Sequence, residues 1–146
     1  MWRRLLKLRP ATDADSPFFW TVRNDPQTIS HSWSKREVTA EEHTCWWQTT
    51  PDVRYVAETA EGDVGVIRFT ELDETTCEVH LAVAAGYRGA GYSTEMLREA
   101  TVAGRELGYE RIVARVDSDN TPSLRAFLRA GHEVESPGTL LLQRDL

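Results

Sequence analysis

The chain has 146 residues, 40% hydrophobic and 27% charged, with a formal net charge of −6. That is ordinary globular composition in a length that one core can serve. The acidic balance argues against a nucleic-acid partner, which needs a basic face, and no run approaches the ~18 apolar residues of a membrane span.

Cys45 and Cys77 lack a metal-ligand spacing, which suits a reducing, cytoplasmic compartment and gives no reason to expect a metal. Residues 1–10 are basic, but Lys7 interrupts the apolar pair Leu5-Leu6. The apolar core of a signal peptide is therefore missing, and Arg3, Arg4 and Lys7 read as a solvated edge strand.

In chain order, residues 5–9 form a short opening strand. A helix over 13–23 follows, with Pro17 tolerable only in its first turn, and Asn24-Asp25-Pro26 ends it. Thr39-Ala40-Glu41-Glu42 has the spacing of a capping box and opens a second helix that reaches about residue 48. After the Pro51-Asp52 turn, strands over 53–58 and 64–69 flank a Glu61-Gly62-Asp63 hairpin turn. Residues 76–83 form the next strand. A helix from 91 to 107 puts Met96, Ala100, Ala103 and Leu107 on one face, and Gly108 stops it. Residues 111–116 alternate as a strand. Thr121 caps the last helix, with Pro122 in its first position and Gly131 as its stop. Two short strands over 133–135 and 140–143 close the chain around Ser136-Pro137-Gly138. The order β-α-α-β-β-β-α-β-α-β-β describes a mixed α/β sheet of six to seven strands with about four helices, not a Rossmann repeat. Without repeats, linkers or low-complexity tracts, 1–146 reads as a single domain.

The segment from Val83 to Ser93 joins a strand to a helix through three glycines and three alanines. Small residues leave main-chain N–H groups bare, and the helix that opens there adds the positive end of its dipole. Such a turn holds a pyrophosphate without charged side chains. It is not a Walker loop, because Gly-Tyr-Ser replaces Gly-Lys-Ser/Thr, nor a dinucleotide fingerprint, because Thr94 replaces the last glycine. Arg88-Gly89-Ala90-Gly91-Tyr92-Ser93 instead resembles motif A of the GNAT superfamily, the acyl-CoA-dependent N-acetyltransferases, whose pattern is Gln/Arg-x-x-Gly-x-Gly/Ala. Gly89 and Gly91 fill the small positions, and Gly86 stands where Gln or Arg is usual. The run from Asn120 to His132 is similar to motif B of that superfamily, matching it at Asn120, Ser123 and Gly131.

The resemblance, which spans 76–135, implies a GNAT fold, acetyl-CoA as cofactor, and acetyl transfer to a primary amine by direct attack. It implies that Val83 ends the strand that pairs with pantetheine. The N–H groups of Arg88, Gly89, Ala90, Gly91, Tyr92 and Ser93 would cradle the pyrophosphate. Asn120 would contact pantetheine, and Ser123 and Phe127 would line its channel. Phe127 occupies the position of the usual Tyr general acid. The thiolate then leaves unaided or is protonated by a substitute such as Tyr92 or Ser123.

Acetyl transfer needs a neutral amine, an oxyanion partner and a proton for the thiolate. Glu78 and His80 share one face of the strand before the glycine turn, while Cys77, Val79, Leu81 and Val83 form the apolar face. Two titratable groups on a central strand are costly unless solvated or used. Glu78 matches an acid that the resemblance places on this strand, and is the leading general base, directly or through water; His80 is the second candidate near neutral pH. The structural alternatives are a hydrogen bond from Glu78 to the N-terminal half and a merely satisfied His80. Cys45 and Cys77 lack the neighbours of a covalent nucleophile.

The N-terminal half carries Phe18, Phe19, Trp20, Trp33, Trp46 and Trp47. Arg23-Asn24, a Ser-rich loop around Trp33, and His43 one turn before Trp46 resemble the GNAT branch that acetylates nucleotide-linked amino sugars. They also resemble the branch acting on ribosomal-protein N termini. The first reading implies that Arg23, Asn24, Trp33 and His43 bind the acceptor, with aromatic faces for a base and an Arg for phosphates. The plainer reading makes most of these rings core. A protein N terminus or lysine is the alternative acceptor. A non-catalytic acyl-CoA sensor is the rival of another class, kept open by Phe127, and a homodimer stays open.

Overall fold

The computed structural model describes residues 5–32, 34–116, 120–136 and 140–146, with backbone alone over 134–136 and 140–143. Apolar alternation produces seven strands: β1 (Lys7–Pro10), β2 (Val53–Thr59), β3 (Gly62–Glu71), β4 (Thr76–Val83), β5 (Arg111–Val116), β6 (Glu133–Ser136) and β7 (Leu140–Asp145). They form one sheet in the order β1-β2-β3-β4-β5-β7-β6. Every neighbouring pair is antiparallel except β4 and β5, which are parallel. The helices are α1 (Ser16–Arg23), α2 (Pro26–His31), α3 (Ala40–Thr49), α4 (Tyr92–Glu106) and α5 (Thr121–Arg129), with a 3₁₀ turn at Asp13–Asp15.

The mixed α/β sheet expected from the sequence is present, with one helix more than the expected four. Asn24-Asp25-Pro26 ends α1 but also starts α2. The Asp25 carboxylate accepts from the N–H groups of Gln27 (3.1 Å) and Thr28 (3.4 Å), and Pro26 takes the first helical position, where its missing N–H costs nothing. Helix α1 begins at Ser16 rather than residue 13, because Asp13–Asp15 closes as a 3₁₀ turn. At α5 the cap is Asn120, not Thr121; its side-chain oxygen accepts from Ser123 N–H. The α3 capping box forms as its spacing predicts, with Thr39 Oγ1 accepting from Glu42 N–H at 3.1 Å.

Two apolar layers sandwich the sheet. On one face Met96, Leu97, Ala100 and Ala103 of α4 pack on Ile67, Phe69, Val79, Val83 and Ile112. The approach is close: a Cβ on Gly104 would lie 2.9 Å from Ile112 Cδ1, and one on Gly65 would lie 2.6 Å from the Ala82 carbonyl oxygen. Leu107, which helical spacing puts on the buried face, is the C-cap and stands exposed. On the other face Phe19 and Val22 of α1 meet Val56, Val66 and Ala84, with Trp47 of α3 packed against them.

Arg9 ties the sheet's first edge together. It donates twice to Asp15 at 2.9 Å, once to Glu58 at 3.0 Å and once to Asp63 at 3.1 Å. The hydrogen bonds from Arg9 hold Asp15 below the usual carboxylate range. Lys7 is exposed, as a solvated edge requires, and Arg3 and Arg4 lie outside the described residues.

His132 is 3% exposed, packs edge-on against Phe127 at 5.0 Å, and has no hydrogen-bond partner for either ring nitrogen. Burial, reinforced by Arg144, pushes its pKa down to about 4. The unfolded chain then takes up a proton below pH ~6.5 that the folded chain refuses until about 4. Stability therefore falls as pH drops through that window, by about 2 kcal/mol per such histidine between neutral pH and pH ~5. We expect His132→Leu to lose less stability than wild type between pH ~7.5 and ~5 in urea titrations. Equal losses would show that His132 does not control the acid limb.

Candidate active site

Strands β4 and β5 are hydrogen-bonded over three residue pairs, Thr76↔Arg111, Cys77↔Ile112 and Glu78↔Val113. Past Glu78 their ladder ends. β4 continues to Val83 against β3, and β5 continues to Val116 against β7. Two parallel strands thus part at Glu78 and open a wedge toward their C-terminal ends, where unpaired main-chain groups of 79–83 line one side. The glycine turn leaves β4 at that end, and α5 starts beyond the end of β5. Crevices of this kind, where neighbouring strands separate, are where α/β sheets hold ligands.

The turn has the conformation its sequence suggests. Gly86, Gly89 and Gly91 adopt φ of 90°, 77° and 84°, a region costly for side-chain-bearing residues. A Cβ on any of the three would meet nothing within 4 Å, so the requirement is conformational and the space above the turn is open. Among the described residues no acceptor closes on the N–H groups of Arg88, Gly89, Ala90, Gly91 or Ser93. Open space and unpaired donors at the start of a 15-residue helix fit a pyrophosphate.

The Arg88 side chain leaves the turn and bonds to Asp25 Oδ2 at 2.5 Å and Thr28 Oγ1 at 3.3 Å. One carboxylate therefore caps α2 and ties it to the glycine turn, and the Arg88 bond holds Asp25 below the usual range. The Tyr92 side chain is buried, with its hydroxyl 3.2 Å from Glu61 on the β2–β3 turn. As a substitute proton donor to the thiolate, Tyr92 is therefore misplaced, because its phenol lies in the core. Phe127 is 3% exposed and also belongs to the core. Ser123 lies partly exposed in the first turn of α5, held by the Asn120 cap.

Glu78 and His80 share the β4 face turned away from α4, as alternation predicts. Glu78 Oε1 lies 3.7 Å from His80 Nε2, and Glu78 Oε2 lies 3.7 Å from Arg115 Nε. A chain of contacts reaches His80 from the next strands. Arg68 donates to Asp52 at 2.6 Å and to Thr70 Oγ1 at 3.3 Å, and Thr70 Oγ1 stands 3.3 Å from His80 Nε2. Burial first, and then Arg68 and Arg115, push the His80 pKa down to about 4. His80 is thus uncharged at neutral pH and a poor proton acceptor there, which corrects the expectation that it titrates near neutrality.

The residues expected to bind the acceptor separate into two groups. Asn24 spends both side-chain atoms on Val38, accepting from its N–H and donating to its carbonyl, each at 2.8 Å. His43 is 7% exposed, with Nε2 2.9 Å from Ser16 Oγ, and its ring lies against Trp20, Trp46 and Trp47. Asn24 and the Nε2 of His43 thus spend their hydrogen bonds inside the chain, and His43 is buried. Arg23 reaches over the loop and donates to Ser34 Oγ at 2.8 Å. Trp33 lies outside the described residues.

Sequence reasoning missed Arg54, Arg68 and Thr70. The Arg54 guanidinium lies over Trp46 (4.7 Å) and Trp47 (4.3 Å), and that of Arg68 lies 5.3 Å from Trp46. Polar residues spaced by two on β3, matching those on β4, were the available signal.

A parted parallel pair, a glycine turn and a carboxylate at the vertex make up the candidate site, and its class follows from the family. The family model of the acetyltransferase (GNAT) domain matches residues 5–133, and the chain belongs to that family, whose cofactor is acetyl-CoA. Solved structures share the fold at low identity. A domain from Methanocaldococcus jannaschii DSM 2661 is 18% identical, with a TM-score of 0.88 over 99% of this chain and 100% of that one. Aminoglycoside acetyltransferase AAC(6')-Ib, in complex with coenzyme A and kanamycin, is 15% identical, with a TM-score of 0.81 over 97% and 95%. Spermidine N-acetyltransferase from Vibrio cholerae, in complex with CoA and spermine, is 17% identical, with a TM-score of 0.77 over 96% and 92%.

The Asp25–Arg88 pair generates a prediction. Asp25→Asn should weaken acetyl-CoA binding several-fold in calorimetry, because the turn loses its tether to α2. A double-mutant cycle with Arg88→Met should return a coupling of about 1 kcal/mol or more in urea unfolding. Additive effects would mean the pair does not act as a strut.

Proposed function

We propose that this protein transfers the acetyl group of acetyl-CoA to the primary amine of a small molecule, by direct attack and without an acyl-enzyme. The observation that carries this reading is the end of β4–β5 pairing at Glu78, with the open glycine turn at the far end of the same strand. Bound there, acetyl-CoA supplies an activated thioester carbonyl. The N–H groups of Arg88, Gly89, Ala90, Gly91, Tyr92 and Ser93 hold the pyrophosphate, and the unpaired edge ending at Val83 holds an amide-bearing arm by strand-like bonds. Asn120 and Ser123 border the other side of the wedge, and Phe127 supports them from the core.

Glu78 takes the proton from the incoming ammonium, directly or through water. His80 stays neutral beside it, and with Thr70 and Arg68 fixes the carboxylate's surroundings. The thiolate, a good leaving group, departs unaided and takes its proton from solvent, with Ser123, partly exposed in the first turn of α5, as the hydroxyl that hydrogen-bonds it. Cys77 is fully buried and burial pushes its thiol up to about 12, so it forms no acyl-enzyme.

For the acceptor, the cation-faced Trp46 supports a small molecule with a planar or anionic part, of which a nucleotide-linked amino sugar is one. Relatives of the same fold were solved with kanamycin or spermine, which favours a small amine over a protein N terminus or lysine. The site lies within a cytoplasmic enzyme in this reading, without a nucleic-acid partner.

Thiol release from acetyl-CoA across a panel of amines tests the proposal, with calorimetry to measure acetyl-CoA binding. Glu78→Gln should lower kcat about 10²-fold and remove the acidic limb of the pH–rate profile, with acetyl-CoA binding retained. His80→Gln should keep that limb. An unchanged limb in Glu78→Gln would transfer the proton to water. Binding without turnover of any amine would favour the acyl-CoA sensor.

A further inference from the structure

We infer that the acceptor amine also carries an anionic group, a carboxylate or a phosphate, and that Arg23 receives it beside Arg68. This rests on the acetyl-transfer reading and adds the chemical class of the second substrate.

Arg23 closes α1 and commits Nη2 to Ser34 Oγ, but its Nη1 is buried with no partner. A buried guanidinium nitrogen without an acceptor is costly, and such atoms are rare in folded proteins unless a ligand or water completes them. The arginines around it differ in one respect. Arg36 pairs with Glu42, Arg68 with Asp52 and Arg88 with Asp25. Among the described residues Arg23 and Arg54 have no carboxylate within ion-pair distance. Arg54 donates to the carbonyls of Trp47 and Thr50, and its Nε is likewise buried without a partner. Asp52 and Asp13 act on Arg54 from a distance, whereas the charges acting on Arg23 are those of the cations Arg36 and Arg68.

Strand register joins these cations to the chemistry. Arg54 is the β2 partner of Arg68, and Arg68 is the β3 partner of His80. The row Arg54–Arg68–His80 therefore crosses the sheet beside Glu78. Arg36 and Arg68 lie close enough to Arg23 to add to the effect of burial and depress its pKa. A polycationic acceptor would meet repulsion here. An amine with a negative group satisfies the arginines at one end and offers its nitrogen to Glu78 at the other, and the bidentate geometry of guanidinium suits carboxylate and phosphate alike.

Matched acceptors test this by thiol release: an α-amino acid against the amine lacking its carboxylate, an amino-sugar phosphate against the free amino sugar, and spermine as a polycation. We expect the anionic member of at least one pair to be preferred by tenfold or more in kcat/KM. The pair that responds tells carboxylate from phosphate. Arg23→Met should bring that ratio toward one through KM, with the KM of acetyl-CoA within twofold of wild type, and Arg23→Lys should retain part of it. A preference for neutral amines or spermine, or an unchanged ratio in Arg23→Met, overturns the inference. A readout without turnover uses thermal shift by inorganic phosphate and by glutamate, with coenzyme A saturating so that the glycine turn is filled. Wild type should gain stability with one of them and Arg23→Met should not, and no gain in wild type also overturns it. Acetyl-CoA binding in calorimetry separates this inference from the reading beneath it: its loss sinks acetyl transfer itself, whereas binding without anion preference sinks this inference alone.

Discussion

The site depends on three residue pairs. Were the β4–β5 ladder to continue past Glu78↔Val113, the edge of β4 would be consumed by β5 and nothing could insert between them. Because it stops, main-chain groups of 79–83 stay available inside a folded sheet, where an amide-bearing ligand satisfies them. The strands are free to part because each is fully paired on its other side, β4 with β3 and β5 with β7. An opening that would expose an edge elsewhere is here held by seven strands and two apolar layers.

The parts around the wedge are positioned by a few polar ties that act across elements. Asp25 does two jobs, capping α2 and holding Arg88, so α2 and the glycine turn share one carboxylate. Asn24 pins Val38 through both of its side-chain atoms, which closes the connection between α2 and α3. His43 fills the joint between α1 and α3 and presents Trp46 and Trp47 to Arg54. These residues resemble ligand binders in sequence because they are polar or aromatic residues in a mixed segment. In the fold their polar atoms bond within the chain, to Arg88, Val38 and Ser16.

Electrostatics divides the face of the sheet under α1–α3. Glu78 lies 3.7 Å from both the neutral His80 and Arg115, and Arg68 reaches His80 through Thr70, so the vertex carboxylate has cations about it, while Arg23 and Arg54 keep spare hydrogen-bonding capacity. His80 cannot charge there at neutral pH, because burial and Arg68 both oppose it. A histidine in such a place serves as a hydrogen-bonding and packing partner. In the proposed reaction the proton work falls to the carboxylate.

Much of this was legible in the chain itself. Local rules sufficed for β4 and β5, whose bounds follow from alternation, for the α3 capping box, and for the glycine turn, whose positive φ values only glycine adopts cheaply. The face shared by Glu78 and His80 follows from a period of two, and the buried Cys77 from the same count. Other features depend on partners far away in sequence. Asp25-Pro26 reads equally well as the end of one helix or the start of the next, and the carboxylate's bonds to Gln27, Thr28 and Arg88 decide it. The pKa of His80 depends on Arg68, and the commitment of His43 on Ser16. The three-pair ladder and the unpartnered Nη1 of Arg23 exist only once β4, β5, α1 and the Ser34 loop are assembled. The sequence by itself determined which segments form elements and which turn leaves its main-chain amides bare, because those are set by neighbours a few residues apart. Tertiary structure alone decided where the sheet opens and which charges go unanswered, because burial and pairing belong to the assembled whole.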